Sequence, residues 1–274
     1  MPSARAEALE KLLQIVDALR EPDGCPWDRK QTVASMATYV IEEAYELVEK
    51  IELGDDAGTR EELGDLLLVL ALICRIASES GRFDLEEAAQ AIREKVVRRH
   101  PHVFGERAEA QDAEEALASW ESVKREERKD AQIDASALAG LPLALPALGR
   151  AARLCEKAVA AGFRWDTAAG AWAKVEEELG ELRRALEGTD LDAAKVRPQG
   201  AARERIEAEL GDLLMAGAFF GRYLGLDPER VCRDALRRFE DRFRRMEAGL
   251  AAPIDSFELP RLMEAWESAK NGDA

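Results

Sequence analysis

The chain is 274 residues long, enough for one large domain or two modest ones. Its 47% apolar and 34% charged residues suit a soluble globular fold and exclude a disordered chain. The formal net charge of −16, from 39 basic and 55 acidic residues, makes DNA or RNA an unsuitable partner; small anions held through metal and a local basic patch stay open.

Abundant Ala, Leu, Glu and Arg favour helix, and apolar positions recur at three- and four-residue spacing along the chain. Met1 to Arg5 lead directly into a charged amphipathic helix predicted over 4–20, with nothing that reads as a signal peptide, so the cytoplasm is the expected location. Further helices are predicted over 32–53, 60–80, 84–99 and 112–129. Gly54 and Gly81 stand where C-caps belong, and Asp84 with Glu87 reads as an N-cap and its N3 glutamate. The longest apolar run, Leu66 to Cys74, is too short to cross a bilayer and reads as bundle core.

Residues 131–146 turn Ala-, Leu- and Pro-rich and carry little charge, which marks a linker between a first domain over 1–130 and a second over 147–274. Helices resume over 147–161, 167–187, 201–224, 228–249 and 259–270, with Asp227-Pro228 as a start signal. No alternating strand pattern of useful length is present. The scattered cysteines (Cys25, Cys74, Cys155, Cys232) form no C-x-x-C pair, which speaks for a reducing compartment and against a zinc cluster.

The second half repeats the first in order. Glu42-Glu43-x-x-Glu46 and Glu62-x-Gly-Asp65 return as Glu177-Glu178-x-x-Glu181 and Glu209-x-Gly-Asp212. Lys95, Arg99, Trp120 and Lys124 return as Arg238, Arg242, Trp266 and Lys270. The fold class is therefore all-α, with two tandem homologous helical-bundle domains.

Residues three apart on a helix share a face, so each half-motif aims two carboxylates one way, and helices folded back on each other bring four together. Such crowding is costly unless a cation sits between them, and oxygen-only donors point to magnesium or manganese rather than zinc. The glycine inside each Glu-x-Gly-Asp costs roughly 1 kcal/mol of helix stability, which hints at a close approach there. Flanking leucines suggest that the surface is at least half buried.

Arg99 and Arg242 occupy equivalent places, and a guanidinium suits a phosphate oxygen. The Trp120/Lys124 and Trp266/Lys270 pairs read either as a base-stacking ring with a phosphate-binding amine or as a core-capping Trp with a solvated Lys; taken alone, the second is the better reading. His100-Pro101-His102 reads as a turn after a helix rather than a metal site.

The order Cys25-Pro26-Trp27-Asp28, Gln31-Thr32, Glu42-Glu43-x-x-Glu46, Glu62-x-x-Asp65 and Arg98-Arg99-His100-Pro101-His102-Val103-Phe104, then Trp120, closely resembles the tandem-domain MazG family of nucleoside triphosphate pyrophosphohydrolases. The resemblance continues through Leu145-Pro146-Ala147-Leu148, Gly162-Phe163-x-Trp165-Asp166 and the second carboxylate set, so it covers nearly the whole chain. The carboxylate signature alone is shared with other all-α pyrophosphatases; the Gly-Cys-Pro-Trp-Asp and His-Pro-His-Val-Phe segments narrow it.

The resemblance implies the all-α NTP pyrophosphatase fold, magnesium-dependent hydrolysis of a nucleoside triphosphate to monophosphate and pyrophosphate, and a homodimer. It implies Glu178, Glu181, Glu209 and Asp212 as metal ligands, with Glu43, Glu46, Glu62 and Asp65 in the first copy. Substrate contacts would fall to Arg238, Arg242, Trp266 and Lys270, and to Lys95, Arg99, Trp120 and Lys124. Glu177 or Glu178 would take the water's proton. Arg238 stands where the family usually has Lys, and Arg153 and Cys155 where Lys and Gln are common, departures that bear on base contacts and substrate preference. The alternatives are a non-catalytic helical scaffold that senses nucleotide or metal, and a hydrolase of an alarmone or damaged nucleotide.

Overall fold

A computed structural model describes residues 3–105, 112, 116, 120, 123, 124, 127, 134, 136–193 and 195–271. No strand occurs among the described residues. The chain divides into two compact units, Met1–Ala131 and Gln132–Ala274.

The first unit holds α1 (Ala4–Arg20), α2 (Val33–Leu53), α3 (Asp56–Glu79), α4 (Leu85–Arg99) and the single turn α5 (Pro101–Phe104). Each of the four long helices starts on a side chain that accepts a free backbone N–H: Ser3, Thr32, Asp55 and Asp84. Asp84 and Glu87 form the reciprocal capping box expected from the sequence. Asp55 accepts from the Gly58 N–H at 3.0 Å, which starts α3 at Asp56, a turn earlier than expected, despite the glycine in its first turn.

Gly54, with φ of 69°, ends α2 in the left-handed region, and a two-residue turn folds α3 back along it. The core is built where α1 meets this pair, from Val16, Met36, Val69, Ala71, Leu72 and Ile76. Leu66 to Cys74 is thus core on one side only. Leu67 and Leu70 are each 44% exposed, because α1 and α2 cover only part of the circumference of α3.

Arg20 locks the end of α1 in place. Its buried guanidinium donates to Glu79 at 2.9 Å and to the carbonyls of Asp28 and, at 3.2 Å, Gln31. The Gly24–Asp28 segment is thereby held against the bundle. A Cβ at Gly24 would lie 2.4 Å from the carbonyl oxygens of Ala18 and Leu19, so the chain can make this approach only with glycine. Trp27 meets Tyr39 of α2 edge-on at 5.5 Å.

The second unit repeats the plan with α6 (Ala147–Ala160), α7 (Ala168–Ala185), α8 (Gly200–Tyr223), α9 (Pro228–Ala248) and α10 (Leu259–Asn271). α7 pairs with α8 as α2 does with α3, and α6 packs on α8 as α1 does on α3. The buried apolar side chains of its helices are small (Ala151, Ala152, Cys155, Ala171, Ala216, Ala218), apart from Met246. The clamp also differs: the Tyr223 hydroxyl accepts from the Trp165 N–H at 2.8 Å and donates to its carbonyl at 3.3 Å.

The Glu229 carboxylate accepts the Gly149 N–H at 2.9 Å and so caps α6, whose own N-cap position is Pro146. Part of the Pro-rich stretch packs into this unit, since Ala139 is buried and the Lys157 amine reaches the Ala137 carbonyl at 3.5 Å. The helix predicted over 112–129 lies mostly outside the described residues; Ala116, Trp120, Val123, Lys124 and Glu127 within it are helical.

Met36 is 1% exposed at the centre of the first unit. Met36→Ala is expected to cost that unit about 2–4 kcal/mol in urea unfolding followed by circular dichroism, whereas a loss below about 1 kcal/mol would place the core elsewhere.

Candidate active site

The helix pairs carry the repeated acids. Carboxylate oxygens of Glu43 and Glu46 on α2 and Glu62 on α3 lie within 4.8 Å of one another. On α7 and α8, Glu178, Glu209 and Asp212 converge within the same 4.8 Å. Each unit therefore brings together three of its four expected ligands. Asp65 stands outside the first trio, although its charge still acts on Glu43. Glu181 stands outside the second, turned to Arg184 at 3.0 Å. No nitrogen or sulfur donor joins either group among the described residues, and a donor set of carboxylates alone suits a hard divalent cation.

The first trio is under electrostatic strain. Partial burial pushes the Glu43 carboxyl above its ordinary range, and Glu46, Asp65, Glu62 and Glu42 push it further. Glu62 is raised in the same way by desolvation and by Glu46, with Lys50 opposing. None of Glu43, Glu46 and Glu62 makes an ion pair with a described residue. The second trio has a cation inside the chain. The Lys174 amine lies 2.6 Å from Glu178, which is buried, and 3.0 Å from Glu177, which is exposed. These two hydrogen bonds, that to Glu178 the stronger, raise the pKa of Lys174 well above its usual value.

Lys174 is a residue that motif reading passed over, as are Arg184 and Arg205. The last two line a cleft of about 260 Å³ with Glu181, Ala185 and Glu209. The signal was present in the spacing, because Lys174 lies four residues before Glu178 and Arg205 four before Glu209, one helical turn in each case. The first copy has Tyr39, Glu49 and Gly58 at the places of Lys174, Arg184 and Arg205, and Lys50 at that of Ala185.

The expected basic and aromatic residues sit on other helices. In the first unit Arg99 donates to Glu127 at 2.7 and 3.0 Å and lies over the Trp120 ring at 5.3 Å, with the Lys124 amine 4.4 Å from the same ring. Arg98 shares Glu127 at 2.6 Å. Arg99, Trp120 and Lys124 are thus one cluster, with Glu127 already balancing the guanidinium, while Lys95 is exposed on α4. In the second unit Arg238 is exposed and Arg242 half-buried on α9. Trp266 on α10 packs against Phe239 at 5.2 Å, and Lys270 turns to Glu267 at 3.1 Å.

Two expectations about the surface need correction. A Cβ at Gly64 or Gly211 would meet nothing within 4 Å, so among the described residues no part of this chain makes the close approach that these glycines suggest. Leu214 and Met215 are 56% and 44% exposed, so the flanking apolar residues do not bury the acidic face within this chain. The two histidines start α5: the Val103 and Phe104 N–H groups donate to the His100 carbonyl at 2.9 and 3.0 Å.

The raised carboxyls carry a pH signature. A carboxyl with a folded pKa above its unfolded value opposes folding at neutral pH, and the penalty fades as pH falls through the folded value towards the unfolded one. Glu79, lowered by its bond to Arg20, and Glu127, lowered by Arg99 and Arg98, work the other way and lose stability only below the ordinary carboxylate value. With a chelator present, Glu43→Gln is therefore expected to raise the melting temperature near pH 7 and to lose that advantage as pH falls towards about 4.5. Thermal melts across this range check it; a variant less stable at both ends would contradict the strain at Glu43.

A family model described as "MazG nucleotide pyrophosphohydrolase domain" matches residues 31–104, within the first copy. A Thermotoga maritima protein named nucleoside triphosphate pyrophosphohydrolase/pyrophosphatase MazG is 38% identical over 269 residues, 96% of each chain. An Escherichia coli nucleoside triphosphate pyrophosphohydrolase is 38% identical over 266 residues, 96% of this chain and 97% of its own. A solved structure described as a mazG-related protein from Thermotoga maritima is 32% identical and covers 42% of this chain and 98% of its own, at a TM-score of 0.37, too loose a superposition to bear on the fold. With both copies of the carboxylate pattern in place and relatives matched from end to end, the chain belongs to the MazG family.

Proposed function

We propose that the chain hydrolyses nucleoside triphosphates to the monophosphate and pyrophosphate, with the second unit equipped for the whole reaction. The observation that carries this reading is the convergence of carboxylates from paired helices beside a cleft lined by arginine. Full-length relatives that bear the name of this activity support it.

Glu178, Glu209 and Asp212, with Glu181 once it leaves Arg184, would hold magnesium, for which manganese is a chemical substitute. Magnesium bound there would neutralise phosphate charge and lower the pKa of water. The chain's own groups do the rest. A water oxygen attacks the α-phosphorus while the bond to the α–β bridging oxygen breaks, and pyrophosphate leaves with that oxygen. Glu177 lies outside the ligating trio and next to it in sequence, which suits it to take the proton of the water. Arg184 and Arg205 line the cleft, and their guanidinium groups match the charge that builds on the departing pyrophosphate. Arg238 and Arg242 on α9, with Trp266 and Lys270 on α10, are the candidates for further contacts to phosphate and nucleoside.

A second copy of the chain is the natural cover for the acidic face. Ile41, Tyr45 and Val48 on α2 and Leu63, Leu67 and Leu70 on α3 are exposed, as are Leu210 and Leu214 on α8, and a homodimer would bury such residues. No helix among the described residues is long and apolar enough to cross a membrane, and the four cysteines are free, in keeping with the cytoplasm.

Incubation with ATP, dGTP or dUTP and magnesium is expected to yield monophosphate and pyrophosphate by chromatography. Orthophosphate with diphosphate would refute the reaction, and no turnover would leave a binding scaffold. Glu178→Gln is expected to lower kcat roughly a hundredfold or more, since even changes around a metal ligand reach that size, with the far-ultraviolet circular dichroism unchanged.

A further inference from the structure

The two carboxylate trios are written alike but set in different charge. Around Glu178, Glu209 and Asp212 the chain places Lys174, Arg184 and Arg205. The matching places around Glu43, Glu46 and Glu62 hold Tyr39, Glu49 and Gly58, and only Lys50 pulls the other way. Of the three cations, Lys174 is the one that touches a member of the trio, with its amine 2.6 Å from the buried Glu178. Tyr39 offers no charge, and its ring packs instead on Trp27 and the core.

We propose that Lys174 is a tethered counter-ion that makes the second trio a weak site for free divalent metal and leaves the first trio the tighter one. The proposal rests on the metal reading of both trios given above. An ammonium already bonded to Glu178 both satisfies that carboxylate and repels an incoming cation at close range. Displacing it would strip the buried Glu178 of its partner and leave the amine only the exposed Glu177, a cost that the first trio never meets. The first trio has the opposite problem: its acids repel one another with no amine between them, so a divalent cation relieves more repulsion there. The uneven hold on metal follows from one side chain rather than from the ligands.

Manganese titration of the full-length protein without nucleotide, read by the electron paramagnetic resonance of the free ion, tests this. Wild type is expected to show a tight and a weak class of site. Glu43→Gln should remove the tight class and Glu178→Gln the weak one. Lys174→Met should tighten the weak class roughly tenfold, the scale of removing one unit charge at contact, while Lys174→Arg should leave it where it was. Should the methionine variant fail to fold by circular dichroism, Lys174→Gln gives the same comparison. If removing the charge leaves both classes unchanged, or if Glu178→Gln removes the tight class, the role of Lys174 is overturned. If neither glutamine variant affects manganese, the metal reading of the trios falls, a result distinct from failure at Lys174 alone.

Discussion

Repulsion between carboxylates held on facing helices is the constraint on which the rest depends. A single glutamate on a helix surface turns to water at little cost, but three whose oxygens lie within 4.8 Å cannot all do so. The fold makes this crowding unavoidable. In the first unit a two-residue turn forces α3 along α2, and the Arg20–Glu79 clamp fixes the far end of the bundle. The acids are then presented on elements whose geometry is set by packing elsewhere, which is what a site for a multiply charged ligand needs. The elevated carboxyls of Glu43 and Glu62 are the cost of that arrangement when nothing cationic is bound.

The two units answer the same constraint differently. The second supplies its own cation through Lys174 and adds Arg184 and Arg205 around a cleft. The first supplies none at those places, and its best phosphate-binding candidate, Arg99, is already bonded to Glu127 and laid over Trp120. One unit is therefore furnished for a polyanion together with its cation, the other for a cation with no competing amine. The two copies share their ligands and differ in the charge around them.

Much of this was legible in the chain itself. Helical spacing places the described long helices to within a few residues, helped where a start signal such as Asp84 or Asp227 is present. α3 starts a turn before the predicted residue 60 because Gly58 argues against helix while Asp55 argues for a cap, and the cap prevails through its bond to the Gly58 N–H. The acidic pattern located the site, but which three of four acids meet depends on side-chain direction: Glu181 is drawn off by Arg184, a competition that motif spacing does not weigh. Lys174 escaped for a related reason. A lysine one turn before a glutamate is ordinarily a surface pair, and only the burial of Glu178 makes this one consequential. The exposure of Leu67 and Leu214 was equally out of reach, since an apolar stripe does not say whether its own chain or a second copy covers it.

Hydrolysis of a nucleoside triphosphate in water labelled with oxygen-18 tests the proposed chemistry most directly, because it reports which phosphorus the water attacks. Carboxylates and arginines arranged to release pyrophosphate require attack at the α-phosphorus, so the label should appear in the monophosphate and be absent from pyrophosphate. Label in the pyrophosphate, or in released orthophosphate, would contradict the assignment of this site.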